Sequence, residues 1–148
     1  MNYNEYLQNE RPYQEYGCNF LLERKHACLF YKPGKGKTYP VVKAVREVEA
    51  AKKRDIKVLV LSTAAAIKMM WLVDIEPQKI MPKQTEYMSF TKAIQDKVRP
   101  VLLKTLWDVI IIDECHHIKA HNSKISKLVY YLTKKCEYVF GLTGTPRG

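Results

Sequence analysis

Between the apolar run Ala27-Cys28-Leu29-Phe30 and a valine-rich stretch lies the segment Tyr31-Lys32-Pro33-Gly34-Lys35-Gly36-Lys37-Thr38. The run before it reads as a buried strand. After it, the spacing of Val41, Val42, Ala44, Val45 and Val48 predicts one face of a helix. Strand, glycine loop and helix in that order form a setting in which backbone amides can wrap a phosphate. Gly34 and Gly36 have no side chain to keep the backbone away from such an anion. Lys37 can place its ammonium near the outer phosphates, and the Thr38 hydroxyl can ligate magnesium. The full pattern GxxxxGK[ST] wants a glycine where this chain has Tyr31. A lysine-rich turn joining a strand to a helix accounts for the same residues, so the rest of the chain has to decide.

Two further apolar runs bear on that decision. Val58-Leu59-Val60-Leu61 reads as a strand of the kind buried in parallel sheets. It ends in Ser62-Thr63, and residues 64–73 then read as a helix with Ile67, Met70 and Trp71 on its apolar side. Hydroxyls and helix-start amides just past a strand can hold a nucleic-acid phosphate; a plain helix cap explains them equally well. The strongest strand is Trp107-Asp108-Val109-Ile110-Ile111-Ile112, which runs into Asp113-Glu114-Cys115-His116. Adjacent carboxylates at the end of a buried strand are costly unless a cation or substrate uses them. Asp113 is placed to hold magnesium, largely through water, and Glu114 to polarise an attacking water as general base. Solvated acids in a strand-end turn are the plain alternative. His116 and His117 have no matching Cys/His pair at ligand spacing, so no separate metal centre is expected.

The remaining segments read more simply. Pro12 suits the first turn of a helix that would bury Tyr13, Tyr16, Gly17, Phe20 and Leu21. Gln14, near its start, offers the donor and acceptor that an adenine edge needs, although a surface glutamine is the ordinary case. Residues 77–82 form a loop, and residues 86–90 a short strand with Ser89 near its end. Residues 91–98 read as a helix capped by Thr91 and stopped by Arg99-Pro100. Asn122-Ser123 caps a helix over 124–135 with Ile125, Leu128, Val129 and Leu132 buried. Tyr138-Val139-Phe140-Gly141-Leu142 is a last strand, ending in Thr143-Gly144-Thr145-Pro146.

Lysine and arginine outnumber aspartate and glutamate by 25 to 15, a net charge of +10. Such an excess favours polyanions at long range, although lysines on solvated faces also serve solubility. No apolar run is long enough to span a bilayer, and the polar start Met1-Asn2-Tyr3-Asn4-Glu5 lacks a signal-peptide core. A cytoplasmic location is expected, or more broadly the nucleoid or the interior of a host cell. The 4 cysteines form no CxxC pair, so free thiols are expected. A length of 148 residues suits a single domain over 1–148.

Taken in order, these pieces resemble the first RecA-like domain of superfamily-two helicases and translocases, nearest in flavour to the Swi/Snf-type translocases of double-stranded DNA. Arg11-Pro12-Tyr13-Gln14 is similar to the adenine-reading glutamine motif, and the loop through Thr38 to motif I. Leu61-Ser62-Thr63 with the helix through Trp71 resembles motif Ia. Asp113-Glu114-Cys115-His116 resembles motif II, and Leu142-Thr143-Gly144-Thr145-Pro146 motif III.

The resemblance implies an α/β fold: a RecA-like P-loop NTPase domain, mostly parallel, with helices on both faces. It implies ATP bound by Gln14, Pro33, Gly34, Lys35, Gly36, Lys37 and Thr38. Magnesium would be held by Thr38 and Asp113, and hydrolysis served by Glu114, Asp113 and Lys37. His116, Thr143 and Thr145 would link that site to a nucleic acid lying near Ser62, Thr63 and Ser89. Two departures stand out. Tyr31 replaces a small residue, and the sequence ends where the family places a second RecA-like domain with its arginine finger. Full activity would then need that second domain in cis or in trans. A non-catalytic nucleic-acid or protein adaptor is the competing expectation. A small-molecule kinase, a third, leaves the basic excess and the Leu142 to Pro146 motif without a role.

Overall fold

The computed structural model describes residues 3–7, 12–30, 38–118 and 123–144. Five strands make one sheet: β1 (His26–Phe30), β2 (Lys57–Ser62), β3 (Gln84–Ser89), β4 (Val109–Asp113) and β5 (Tyr138–Thr143). Their spatial order is β1-β5-β4-β2-β3, and every pairing is parallel. The fold is α/β and RecA-like, as expected. β2 and β4 are apolar on both faces because they sit inside the sheet with helices above and below. Their near-continuous Val/Leu/Ile runs are the sequence trace of that burial.

Alternation along the strands divides the core in two. Val58, Val60, Val109, Ile111, Phe140 and Leu142 pack on one face with α2 (Pro12–Arg24), α3 (Thr38–Lys52) and a π-helix over Ile67–Ile75. Leu59, Leu61, Ile110 and Ile112 pack on the other with α5 (Phe90–Ala93), α6 (Arg99–Lys104) and α7 (Lys124–Lys135). On α3 the residues Val41, Val42, Ala44, Val45 and Val48 are all buried, as their spacing predicts. A short α1 (Tyr3–Leu7) lies against the start of α3, where Tyr6 stacks on Tyr39 with ring centroids 5.0 Å apart. Among the described residues no helix is long and apolar enough to cross a membrane. All four cysteines are free thiols.

Several local expectations are corrected. β1 is an edge strand of the described sheet and only half-buried, with Phe30 64 % exposed. Tyr16 lies outside the buried stripe of α2 at 74 % exposure; the residues turned inward are Gln14, Gly17, Cys18 and Leu21. The segment 64–73 is not one α-helix. α4 (Ala64–Ala66) is capped by Thr63 and passes into the π-helix, which ends in a 3-10 turn at Glu76–Gln78. Ser89, not Thr91, caps α5, and that helix stops at Ala93. Arg99-Pro100 opens α6 instead of stopping a helix, since a proline in the first turn removes an amide that would be unpaired anyway.

Ile111, at the centre of β4 and fully buried, tests this core. Ile111→Ala should cost about 2–5 kcal/mol of stability in urea denaturation, with little change in the slope of the transition.

Candidate functional site at the strand ends

Because all strands run parallel and in step, their carboxyl ends form one edge of the sheet. Phe30 is level with Thr143, Asp113 with Leu142, and Ser62 with Ser89. Ligands of open parallel sheets bind along this edge. Residues 31–37, which hold Pro33, Gly34, Lys35, Gly36 and Lys37, lie outside the described residues, as does Thr145.

Asp113 closes β4 and is 0 % exposed. It shares strand parity with Val109 and Ile111, so its side chain projects to the face covered by α3 and the π-helix. Its Oδ2 accepts hydrogen bonds from Ser62 Oγ at 3.1 Å and Trp71 Nε1 at 2.9 Å. Its Oδ1 accepts from the amide of Glu114 at 3.0 Å. These donors answer the cost of a carboxylate removed from water.

The chain turns sharply after Asp113. Glu114 adopts a left-handed conformation, φ 56° and ψ 42°, which costs a non-glycine residue about 1–2 kcal/mol. Strain of this kind gathers where the chain must present a side chain. The turn brings Glu114 Oε2 to 3.5 Å from His116 Nε2. His116 Nδ1 shares a 2.8 Å hydrogen bond with Thr143 Oγ1 at the end of β5. A polar chain thus runs from Glu114 through His116 to the neighbouring strand. Cys115 turns toward β1, its Sγ 3.3 Å from that of Cys28. The hydrogen bond from Cys115 holds the Cys28 thiol below its ordinary range, and the same bond, with burial, pushes Cys115 up. Gly141 makes this contact possible, since a Cβ there would lie 3.1 Å from Cys28 Sγ and 3.6 Å from Cys115 Sγ. Glu114, His116 and His117 offer donor atoms within 4.8 Å of one another, a grouping of near neighbours that ligand spacing along the chain did not suggest.

Thr38 is the first residue of α3, and its side chain shares a hydrogen bond with the Tyr6 phenol. Gln14 is buried on α2, at 4 % exposure. Thr63 and Ser89 are helix caps, accepting from the amides of Ala66 and Lys92. Ser62 requires a correction: it is fully buried against Asp113, so its hydroxyl has no surface to offer a nucleic acid. Among the contacts that escaped the sequence reading are Trp71 on Asp113, Tyr6 on Thr38, and Cys28 on Cys115. Only the first left a trace, because a buried indole N–H requires an acceptor.

The carboxylate of Asp113 and the hydroxyl of Thr38 are hard oxygen donors, the set that suits magnesium with its retained waters. The fold and this edge define a RecA-like α/β scaffold. A sequence family described as "Type III restriction enzyme, res subunit" matches residues 85–148. A comparison with curated proteins found no match. Among solved structures, the SWI2/SNF2 ATPase core of Sulfolobus solfataricus in complex with dsDNA is similar, with TM-score 0.75 and 24 % identity over 93 % of this chain. The ATPase core domain of Sulfolobus solfataricus SWI2/SNF2 matches over the same share with TM-score 0.74 and 25 % identity. This chain spans 32 % of the length of each. These likenesses show that the chain has the α/β fold of a RecA-like ATPase-core domain.

Tyr6 supplies a pH test of the α1 contact with Thr38. Burial raises its phenol from 10.0 to about 12 against the lowering effect of the Thr38 hydrogen bond, with Asp74 adding to the rise. A raised folded value means that the fold favours the protonated phenol. Its contribution is whole below pH 10.0 and is lost as pH rises through about 12. The tyrosine missing from the ultraviolet titration of Tyr6→Phe should therefore titrate in that upper range.

Proposed function

We propose that this domain is the ATP- and magnesium-binding half of a nucleic-acid-dependent motor ATPase of helicase or DNA-translocase type. The observation that carries the reading is the chain from the paired acids Asp113 and Glu114 through His116 to Thr143, which joins two adjacent strand ends. In this reading Gln14 faces the adenine, and residues 33–37 with Thr38 enclose the phosphates. Asp113 and Thr38 hold magnesium, which neutralises phosphate charge when bound. Glu114 takes the proton of the attacking water as general base, and Lys37 stabilises charge on the outer phosphate. His116, Thr143 and Thr145 relay the state of the site to the nucleic-acid surface, with Thr63 and Ser89 along its edge.

Charge supports a polyanionic partner. Across residues 90–107 and 123–136 the cations are Lys92, Lys97, Arg99, Lys104, Lys124, Lys127, Lys134 and Lys135, and the only acid is Asp96. One helical layer therefore carries much of the positive excess, which speeds encounter with a phosphate backbone. Double-stranded DNA is the partner we favour, and a second RecA-like domain, in cis or in trans, would supply the arginine that completes catalysis. We place the protein in the cytoplasm or at the nucleoid.

Calorimetry with ATP and magnesium tests the binding half of this reading. Lys37→Ala should weaken affinity about 10- to 100-fold, the worth of a charge-assisted phosphate contact; equal affinities would refute it. Turnover tests the other half. Glu114→Gln should retain binding while losing about 10²–10⁴-fold in hydrolysis. Binding with no turnover dependent on Glu114 would identify an adaptor instead. Thr143→Val should keep basal turnover and lose its stimulation by DNA.

A further inference from the structure

The Oδ2 atom of Asp113 faces two side-chain donors that the sequence motifs do not assign to it. One is Ser62, from the strand beside β4. The other is Trp71, which reaches the carboxylate from the overlying π-helix. The indole is 0 % exposed and tilted against Tyr87, with ring centroids 6.1 Å apart. Ile67, Trp71 and Ile75 recur every four residues as the buried side of that helix. A stretch of π-helix is uncommon and tends to occur where function needs a side chain displaced from its α-helical place.

We propose that Trp71, assisted by Ser62, is a positioning residue that orients Asp113 for the metal of a bound nucleotide. The proposal rests on reading Asp113 as the magnesium-holding carboxylate. An indole N–H only donates, so its bond fixes which carboxylate oxygen turns inward. With Oδ2 held by Trp71 and Ser62, Oδ1 lies on the side of Glu114 and the strand-end edge. The carboxylate plane is then set before any metal arrives. Groups that orient a metal ligand from behind are commonly worth 10- to 100-fold in metal affinity. A tryptophan that only filled space would lose packing on replacement by phenylalanine but would leave the magnesium-dependent part of nucleotide affinity unchanged.

The experiment measures affinity for a non-hydrolysable ATP analogue by calorimetry, once with magnesium and once with EDTA, and takes the ratio. Trp71→Phe keeps an aromatic ring against Tyr87 and removes the donor. The magnesium-dependent gain should fall about 10-fold in that variant, with affinity in EDTA unchanged. Ser62→Ala, a smaller change less able to disturb folding, should lower the ratio in the same direction. Asp113→Asn should abolish the gain. If Asp113→Asn abolishes it while Trp71→Phe and Ser62→Ala both retain the wild-type ratio, the positioning role is overturned and the reading of Asp113 stands. If Asp113→Asn leaves the ratio intact, the reading of Asp113 falls and takes this role with it. Equal losses with and without magnesium in the two donor variants would show packing alone, and would also overturn the proposal.

Discussion

A carboxylate enclosed in an apolar interior is the constraint around which this domain is arranged. Asp113 ends a strand whose other residues are valine and isoleucine, and it has no contact with solvent. An isolated charge there would cost several kcal/mol or more. The donors that meet this cost include Ser62 from the neighbouring strand, Trp71 from the overlying helix and the Glu114 amide of the turn. Each donor fixes a different part of the architecture. Ser62 ties the end of β2 to that of β4, Trp71 ties the π-helix to the sheet, and the amide bond accompanies the left-handed turn at Glu114.

That turn has its own consequence for the site. Continued strand geometry would have carried Glu114 to the opposite face of the sheet from Asp113. The left-handed residue instead redirects the chain at the sheet edge, where Glu114 meets His116 and His116 meets Thr143. Two acids adjacent in sequence thus acquire unlike environments. One is enclosed and tied by donors, whereas the other is partly exposed beside a histidine. Such division of a carboxylate pair suits different tasks for the two groups.

Much of this was legible in the sequence because the physics acting on it is local. The Val/Leu and Val/Ile runs of β2 and β4 admit few solutions other than a doubly covered parallel strand, and α3 and α7 declare themselves by helical spacing. The acids at the end of β4 were legible for the same reason, since charge directly after an apolar run must be used or solvated. What escaped was set by distant partners. Tyr16 fits a helical stripe on paper, yet α2 turns Gln14, Gly17, Cys18 and Leu21 inward instead. Arg99-Pro100 is a stop signal after one segment and a start signal for the next, and spacing alone does not choose. The π-helix could not be read because its register serves Trp71 and Asp113, 42 residues apart in the chain. Ser62 was read as a surface hydroxyl because nothing within β2 announces the neighbour that buries it.

Gly141 shows how a missing side chain can act at a distance. It lies on β5 between β1 and β4, level with Cys28 on one side and Ile112 on the other. The space above it is where the sulfurs of Cys28 and Cys115 meet. A Cβ there would crowd the Cys28 sulfur, which would have to give by a few tenths of an ångström. The bare backbone at this one position lets β1 and the turn after β4 touch through their sulfurs across an intervening strand.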